Sequence, residues 1–262
     1  MKFKTQKDKH GAMMIASVVL ALLGVIGFKL MHPPAPPLDA DGCTSPIVRN
    51  TVIILDHSEA VSEQTQTEIV ARSLAAVVDK AEVNERITVF RVSELSKKRM
   101  EPIFSQCKLP SDGNRLTEGV KVIAKNYQKR FLEPLKLALQ VAPDNAKESP
   151  IAQAIIDVSL SQYLRGQVNR LLVFSDLMEH NDKSFSLYNC NPHHDVIDEF
   201  RRFRRGAQER PAFRNTAIQL NIIPRKGLTE GSLKCRDKLW PWFFGDDEGA
   251  NASLSTDYLP GA

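Results

Sequence analysis

No Gly-x-Ser-x-Gly, no Walker A loop and no Gly-x-Gly-x-x-Gly occurs in this 262-residue chain. Their absence excludes the nucleophile elbow of serine hydrolases and the glycine-rich phosphate cradles of nucleotide-binding proteins. Cysteine is scarce too. Cys43, Cys107, Cys190 and Cys235 never adopt Cys-x-x-Cys spacing, which argues against a zinc site. Nor is either charge in marked excess: 35 Lys and Arg against 31 Asp and Glu leave +4. That balance does not argue for nucleic acid, and no nucleic-acid partner is expected. No internal repeat is present.

What the chain does have begins at its N-terminus. Gly11 to Phe28 carries no charge and is mostly apolar. Eighteen helical residues rise about 27 Å, close to the hydrocarbon thickness of a bilayer. Lys2, Lys4, Lys7 and Lys9 precede it against one acid, Asp8. The positive-inside rule then places residues 1–10 in the cytoplasm, 11–31 across the inner membrane, and the rest in the periplasm. A cleaved signal peptide competes with this anchor. Against it, Gly24-Val-Ile-Gly27 runs into the bulky Phe28-Lys29-Leu30-Met31, a poor cleavage site.

Beyond the anchor, Pro33 to Pro37 reads as a polyproline spacer within a linker over 32–46. One large domain is expected over 47–245, followed by a disordered acidic tail over 246–262. All four cysteines lie on the exported side. Their even number is compatible with two disulfides, and three pairings remain open.

Apolar runs at Thr51–Leu55, Ile87–Val92, Leu171–Phe174 and Ala217–Ile223 read as buried strands, with a short edge strand at Pro102–Ser105. Between them, helical patterns cover Val61–Lys80 with Ser62 as N-cap, Thr117–Val141 broken near Pro134, a helix opened by Ser149-Pro150 and running to about Leu164, Asp195–Arg205 and Ser232–Phe244. This alternation predicts an α/β fold: a doubly wound, mostly parallel sheet with helices on both faces, preceded by one transmembrane helix.

Two of those strands end on an aspartate, Asp56 and Asp176. Ligands in open α/β sheets bind outside the carboxyl ends of the strands. With Ser58 and Ser149, these residues would make a hard, oxygen-only cluster suited to Mg²⁺. His57 alternates with Asp56 along the chain and is expected to point elsewhere. Arg201-Arg-Phe-Arg-Arg205 reads as a solvated helix face or a contact for anionic lipid or an acidic partner, and His193-His194 as a loop.

At these residues the chain resembles a von Willebrand factor A-type (VWA) domain over about Val48 to Phe244. That family's metal-ion-dependent adhesion site has Asp-x-Ser-x-Ser after the first strand, a Thr in a later loop and an Asp after the fourth strand. Here the first motif reads Asp56-His57-Ser58-Glu59-Ala60, Ser149 stands for the Thr, and Asp176 for the final Asp. Ala60 lacks the third hydroxyl, and Leu177 follows Asp176 where the family usually has Gly. Phe104–Cys107 and Asn126–Leu135 are similar to membrane-anchored prokaryotic members of this type.

The resemblance implies a protein-binding module, with Asp56, Ser58, Ser149 and Asp176 as metal ligands and Mg²⁺ as the cation. The expected partner is a protein, and the membrane is engaged through the N-terminal helix. A scaffold with a vestigial site is the alternative. An Mg²⁺-dependent phosphoryl hydrolase is less well supported, since Ser58 stands where such an enzyme has its second Asp. The chain is not expected to be an enzyme.

Overall fold

The computed structural model describes residues 6–31, 37–92, 100–113, 119–140, 142–143, 146–165, 168–181, 184–245 and 253–261. The chain divides into two units, Met1–Pro37 and Leu38–Ala262. In the first, helix α1 (Gln6–Met31) contains a stretch, His10–Phe28, long and apolar enough to cross a membrane. Its large apolar side chains, among them Met13, Leu20 and Phe28, are exposed. The proline-rich residues 32–36 lie outside the described residues.

The second unit is built on a six-stranded sheet. In chain order the elements are β1 (Asn50–Asp56), α2 (Glu63–Val78), β2 (Arg86–Val92), β3 (Pro102–Cys107), α3 (Val120–Asn126), α4 (Glu133–Leu139), α5 (Ile151–Leu160), β4 (Asn169–Ser175), the short hairpin β5 (His180–Asn181) and β6 (Phe185–Ser186), α6 (Val196–Phe203), β7 (Thr216–Ile222), α7 (Glu230–Phe244) and β8 (Ser253–Tyr258). The sheet order is β3-β2-β1-β4-β7-β8. Every pairing is parallel except that of β3 with β2.

Strand β1 is buried along its whole length, which explains its unbroken apolar run. Val52 and Ile54 face a core shared with α5, α6 and α7, while Ile53 and Leu55 face one shared with α2 and α4. Both faces are therefore covered, as the sequence predicts. The chain leaves β1 toward β2 on one side and pairs with β4 on the other. That reversal marks the switch point where such sheets form a crevice.

Several boundaries differ from expectation, each for a local reason. Residues 38–46 are not linker. Cys43 is bonded to Cys107 of β3, and the Asp39 carboxylate accepts from the Cys43 N–H at 2.8 Å and pairs with Arg86 at 2.9 Å. The expected disordered tail over 246–262 is also overturned where it is described. Residues 253–258 form β8 against β7, with Ala217 opposite Ser253 and Ile222 opposite Tyr258. Leu259 is buried, and the carbonyls of Pro260 and Gly261 accept from the hydroxyls of Thr65 and Ser62 at the start of α2. Residues 246–252 lie outside the described residues.

Pro134 does not break its helix. The turn before it, Tyr127–Leu132, widens to π geometry, which accommodates the missing N–H and the ring of Pro134 without a break. Ser62 caps α2 as expected, accepting from the Thr65 N–H at 3.1 Å.

Candidate functional site

The parallel strands β1, β4 and β7 bring their carboxyl ends together at one edge of the sheet. Asp56 closes β1 and is 2% exposed. Its Oδ2 accepts from the hydroxyls of Ser149 at 3.1 Å and Ser175 at 2.7 Å, and its Oδ1 accepts from the Ser58 N–H at 3.1 Å. Ser149 therefore does not cap its helix. Its hydroxyl turns to Asp56, and the Ala152 N–H of α5 donates instead to the buried carboxylate of Glu179 at 2.8 Å. Backbone bonds between Ser149 and His180, and from Ala146 N–H to the Ser58 carbonyl, hold the two loops in place.

Asp176 follows β4 and is 3% exposed. Its Oδ1 accepts from the Met178 N–H at 2.9 Å, and its Oδ2 from the Nε of Arg225 at 2.8 Å. Arg225 lies just past β7. Its Nη1 donates to the Ala60 carbonyl at 2.7 Å and lies 3.4 Å from the Glu59 carboxylate. The Tyr188 hydroxyl donates to Glu59 at 3.0 Å and lies 3.5 Å from Asp176. Leu177 adopts a left-handed φ of 58° with its side chain buried, at the position where the resembled family usually has glycine. The conformation costs about 1 kcal/mol with a side chain, which burial of a leucine offsets.

The structure thus gathers all four sequence-predicted residues, Asp56, Ser58, Ser149 and Asp176, at the switch point. It also adds Ser175, Glu59, Tyr188 and Arg225, which sequence reasoning missed. The strand-end rule that found Asp56 and Asp176 would have found Arg225 as well, because Ile223-Pro-Arg225 leaves the next parallel strand. His57 points elsewhere, as expected. It lines a pocket of about 480 Å³ with Val61, Gln66 and Val70 of the α2 side. A second pocket of about 320 Å³ opens over the site itself, lined by Ser58, Glu59, Lys147, Ser149, His180 and Tyr188.

Burial, and then the neighbouring Asp56 charge, push the Asp176 carboxyl up to about 6, against the opposing pull of Arg225. Burial by itself would lower the Arg225 guanidinium, yet the charge and hydrogen bond of Asp176, together with Glu59 and Tyr188, outweigh it and raise it. Burial and the charges of Asp176 and Glu59 raise the Tyr188 phenol. An acid whose folded pKa lies above its unfolded value binds more protons when folded. Its stabilising contribution is full below about pH 4 and is lost as pH rises through about 6. We expect stability measured in EDTA to fall by up to about 3 kcal/mol between those limits relative to Asp176→Asn. Denaturant unfolding at several pH values checks this, and parallel profiles for the two proteins would refute it.

The residues do not fit Mg²⁺ in this arrangement. Asp176 is already engaged by a guanidinium, and both oxygens of Asp56 accept internal hydrogen bonds. Mg²⁺ demands near-octahedral oxygens around a doubly charged centre, which an adjoining guanidinium opposes. Among the described residues no cluster of three or more His, Cys, Asp or Glu has metal-binding geometry. The basic stretch is a solvated helix face in part: Arg201 and Arg202 are exposed on α6, whereas Arg204 lies past its end and is buried. Arg201 pairs with Glu209, and the buried Arg204 bonds the Gln208 carbonyl.

No family model matches the chain, and no curated protein matches it. Solved structures do. The VWA domain of SpRpn10 aligns with a TM-score of 0.37 and 10% identity, over 80% of this chain and 88% of that one. The human COPII-coat protein Sec24c aligns with a TM-score of 0.36 and 9% identity, over 80% of this chain and 29% of that one.

Proposed function

We propose that this protein is a membrane-anchored, VWA-like protein-binding module whose binding face is the carboxyl edge of its parallel sheet. One observation carries the reading. Asp56, Ser58, Ser149 and Asp176, from three separate parts of the chain, converge there at the switch point beneath an open pocket. Crevices at such points are where open α/β sheets engage ligands. The anchor is α1, with its N-terminus in the cytoplasm and the domain in the periplasm of the inner membrane. The two disulfides, Cys43–Cys107 and Cys190–Cys235, suit an oxidising compartment.

No catalytic role is assigned. A phosphoryl hydrolase of the aspartate type needs a second carboxylate two residues after its nucleophile, and Ser58 stands there. A second reading, a scaffold subunit with a vestigial metal site, is favoured by the Asp176–Arg225 ion pair. The two readings part on whether the pocket rim touches another protein. A photo-crosslinking residue placed at the exposed Lys147, on that rim, is expected to give a discrete protein adduct in cells.

A further inference from the structure

We propose that the guanidinium of Arg225 has taken the place of a divalent cation at this site, making the site cation-independent. A corollary is that removing the guanidinium uncovers a weak Mg²⁺ or Mn²⁺ site formed by Asp56, Ser58, Ser149 and Asp176. The inference concerns what balances the buried charge, and it holds whether or not the face binds a protein.

Three features lead to it. The first is position. Arg225 leaves β7 as Asp56 leaves β1 and Asp176 leaves β4, so three adjacent parallel strands deliver two carboxylates and one cation to a single point. The second is the identity of the atoms it holds. Nε lies against Asp176, while Nη1 reaches the Ala60 carbonyl in the loop that also carries Ser58. Ala60 is the position where a third hydroxyl ligand is missing. The guanidinium thus joins the same two loops that a shared cation would join, and it does so through the backbone where the side-chain ligand has been lost.

The third feature is charge. Asp56 and Asp176 are both buried, at the carboxyl ends of neighbouring strands. Among the described residues Asp56 is held by neutral donors: two serine hydroxyls and one backbone N–H. Arg225 is the cation paired with Asp176, and its side chain is 14% exposed. Buried carboxylates that lose such a partner leave an uncompensated charge. Any small cation able to enter then gains from the same oxygens, and hydroxyls and waters complete its shell.

The test measures Mn²⁺ binding by full-length protein in detergent, from the electron paramagnetic resonance signal of free Mn²⁺. Near-UV circular dichroism confirms the fold. Wild type is expected to bind no Mn²⁺ up to about 1 mM, the range of weak extracellular cation modules. Arg225→Gln, which removes the charge and keeps an N–H donor where Nε stands, is expected to bind at least about tenfold more tightly than wild type, and Mn²⁺ is expected to raise its melting temperature. Arg225→Lys keeps the charge and stays metal-free. Adding Asp176→Ala to Arg225→Gln abolishes the gain. Mn²⁺ binding by wild type that EDTA reverses and Asp176→Ala removes would overturn the inference. So would a folded Arg225→Gln protein that binds no better than wild type.

Discussion

Glu85→Ala lowers the stability of the domain by about 3–5 kcal/mol, the cost of removing one member of a buried ion pair. Glu85 is fully buried at the end of the sheet opposite the site. Its Oε1 accepts from the Thr51 hydroxyl and pairs with Arg170, and its Oε2 accepts from the Glu82 N–H at 3.0 Å. Arg170 also donates to Thr51 at 3.0 Å, so this one carboxylate ties β1, β4 and the turn before β2 together. Alanine leaves a guanidinium and a hydroxyl without their acceptor. Glu85→Gln keeps an acceptor and loses only charge, so it costs less, about 1–3 kcal/mol. Urea unfolding reads both values as a fall in midpoint at unchanged slope. A Glu85→Ala protein within about 1 kcal/mol of wild type would show that the network contributes little.

The second large effect is on the disulfides. Cys43–Cys107 closes a separation of 64 residues and Cys190–Cys235 one of 45. Loops of that length restrict the unfolded chain enough that losing either bond costs about 2–4 kcal/mol. The two losses differ in kind. Cys43→Ala with Cys107→Ala removes the covalent tie of residues 38–46 to the edge strand β3 and leaves the hydrogen bond from the Cys107 backbone N–H to the Asp41 carbonyl. Cys190→Ala with Cys235→Ala loosens the connection between α7 and the segment carrying Tyr188, whose carbonyl accepts from Ser232 at 2.8 Å. Only the second pair is therefore expected to alter the site as well as stability. Thermal unfolding checks the first expectation. A changed environment of Tyr188 in near-UV circular dichroism, confined to the second pair, checks the other. Equal spectral changes in both variants would contradict it.

Buried parallel strands declare themselves in sequence, because both faces are covered and the apolar run is continuous. That is why β1 and β4, and with them Asp56 and Asp176, were legible. Edge strands are not legible in this way. Among the described residues β8 pairs with one strand, β7, and Leu254 to Tyr258 are exposed, so its polar composition reads as a tail. The pairing that orders it comes from β7, nearly forty residues earlier. Ser149 shows another limit. Its spacing before Pro150 predicts a cap, but a buried carboxylate 93 residues away competes successfully for the hydroxyl. Pro134 predicts a break, and the preceding π turn absorbs it. Arg225 carried no local signal beyond its place after a strand. Its role depends on Asp176 and the Ala60 carbonyl, which only the fold brings near.

The most direct measurement compares photo-crosslinking from two ends of the same sheet in full-length protein in cells. Lys147 lies on the rim of the pocket over Asp56 and Ser149, and Val83, 52% exposed, lies in the turn at the opposite end. A discrete protein adduct from Lys147 with none from Val83 is the expected result, and it would mark the carboxyl edge as the binding face. An adduct from Val83 alone, or the same adducts from both ends, would contradict that account and place recognition away from the Asp56–Asp176 site.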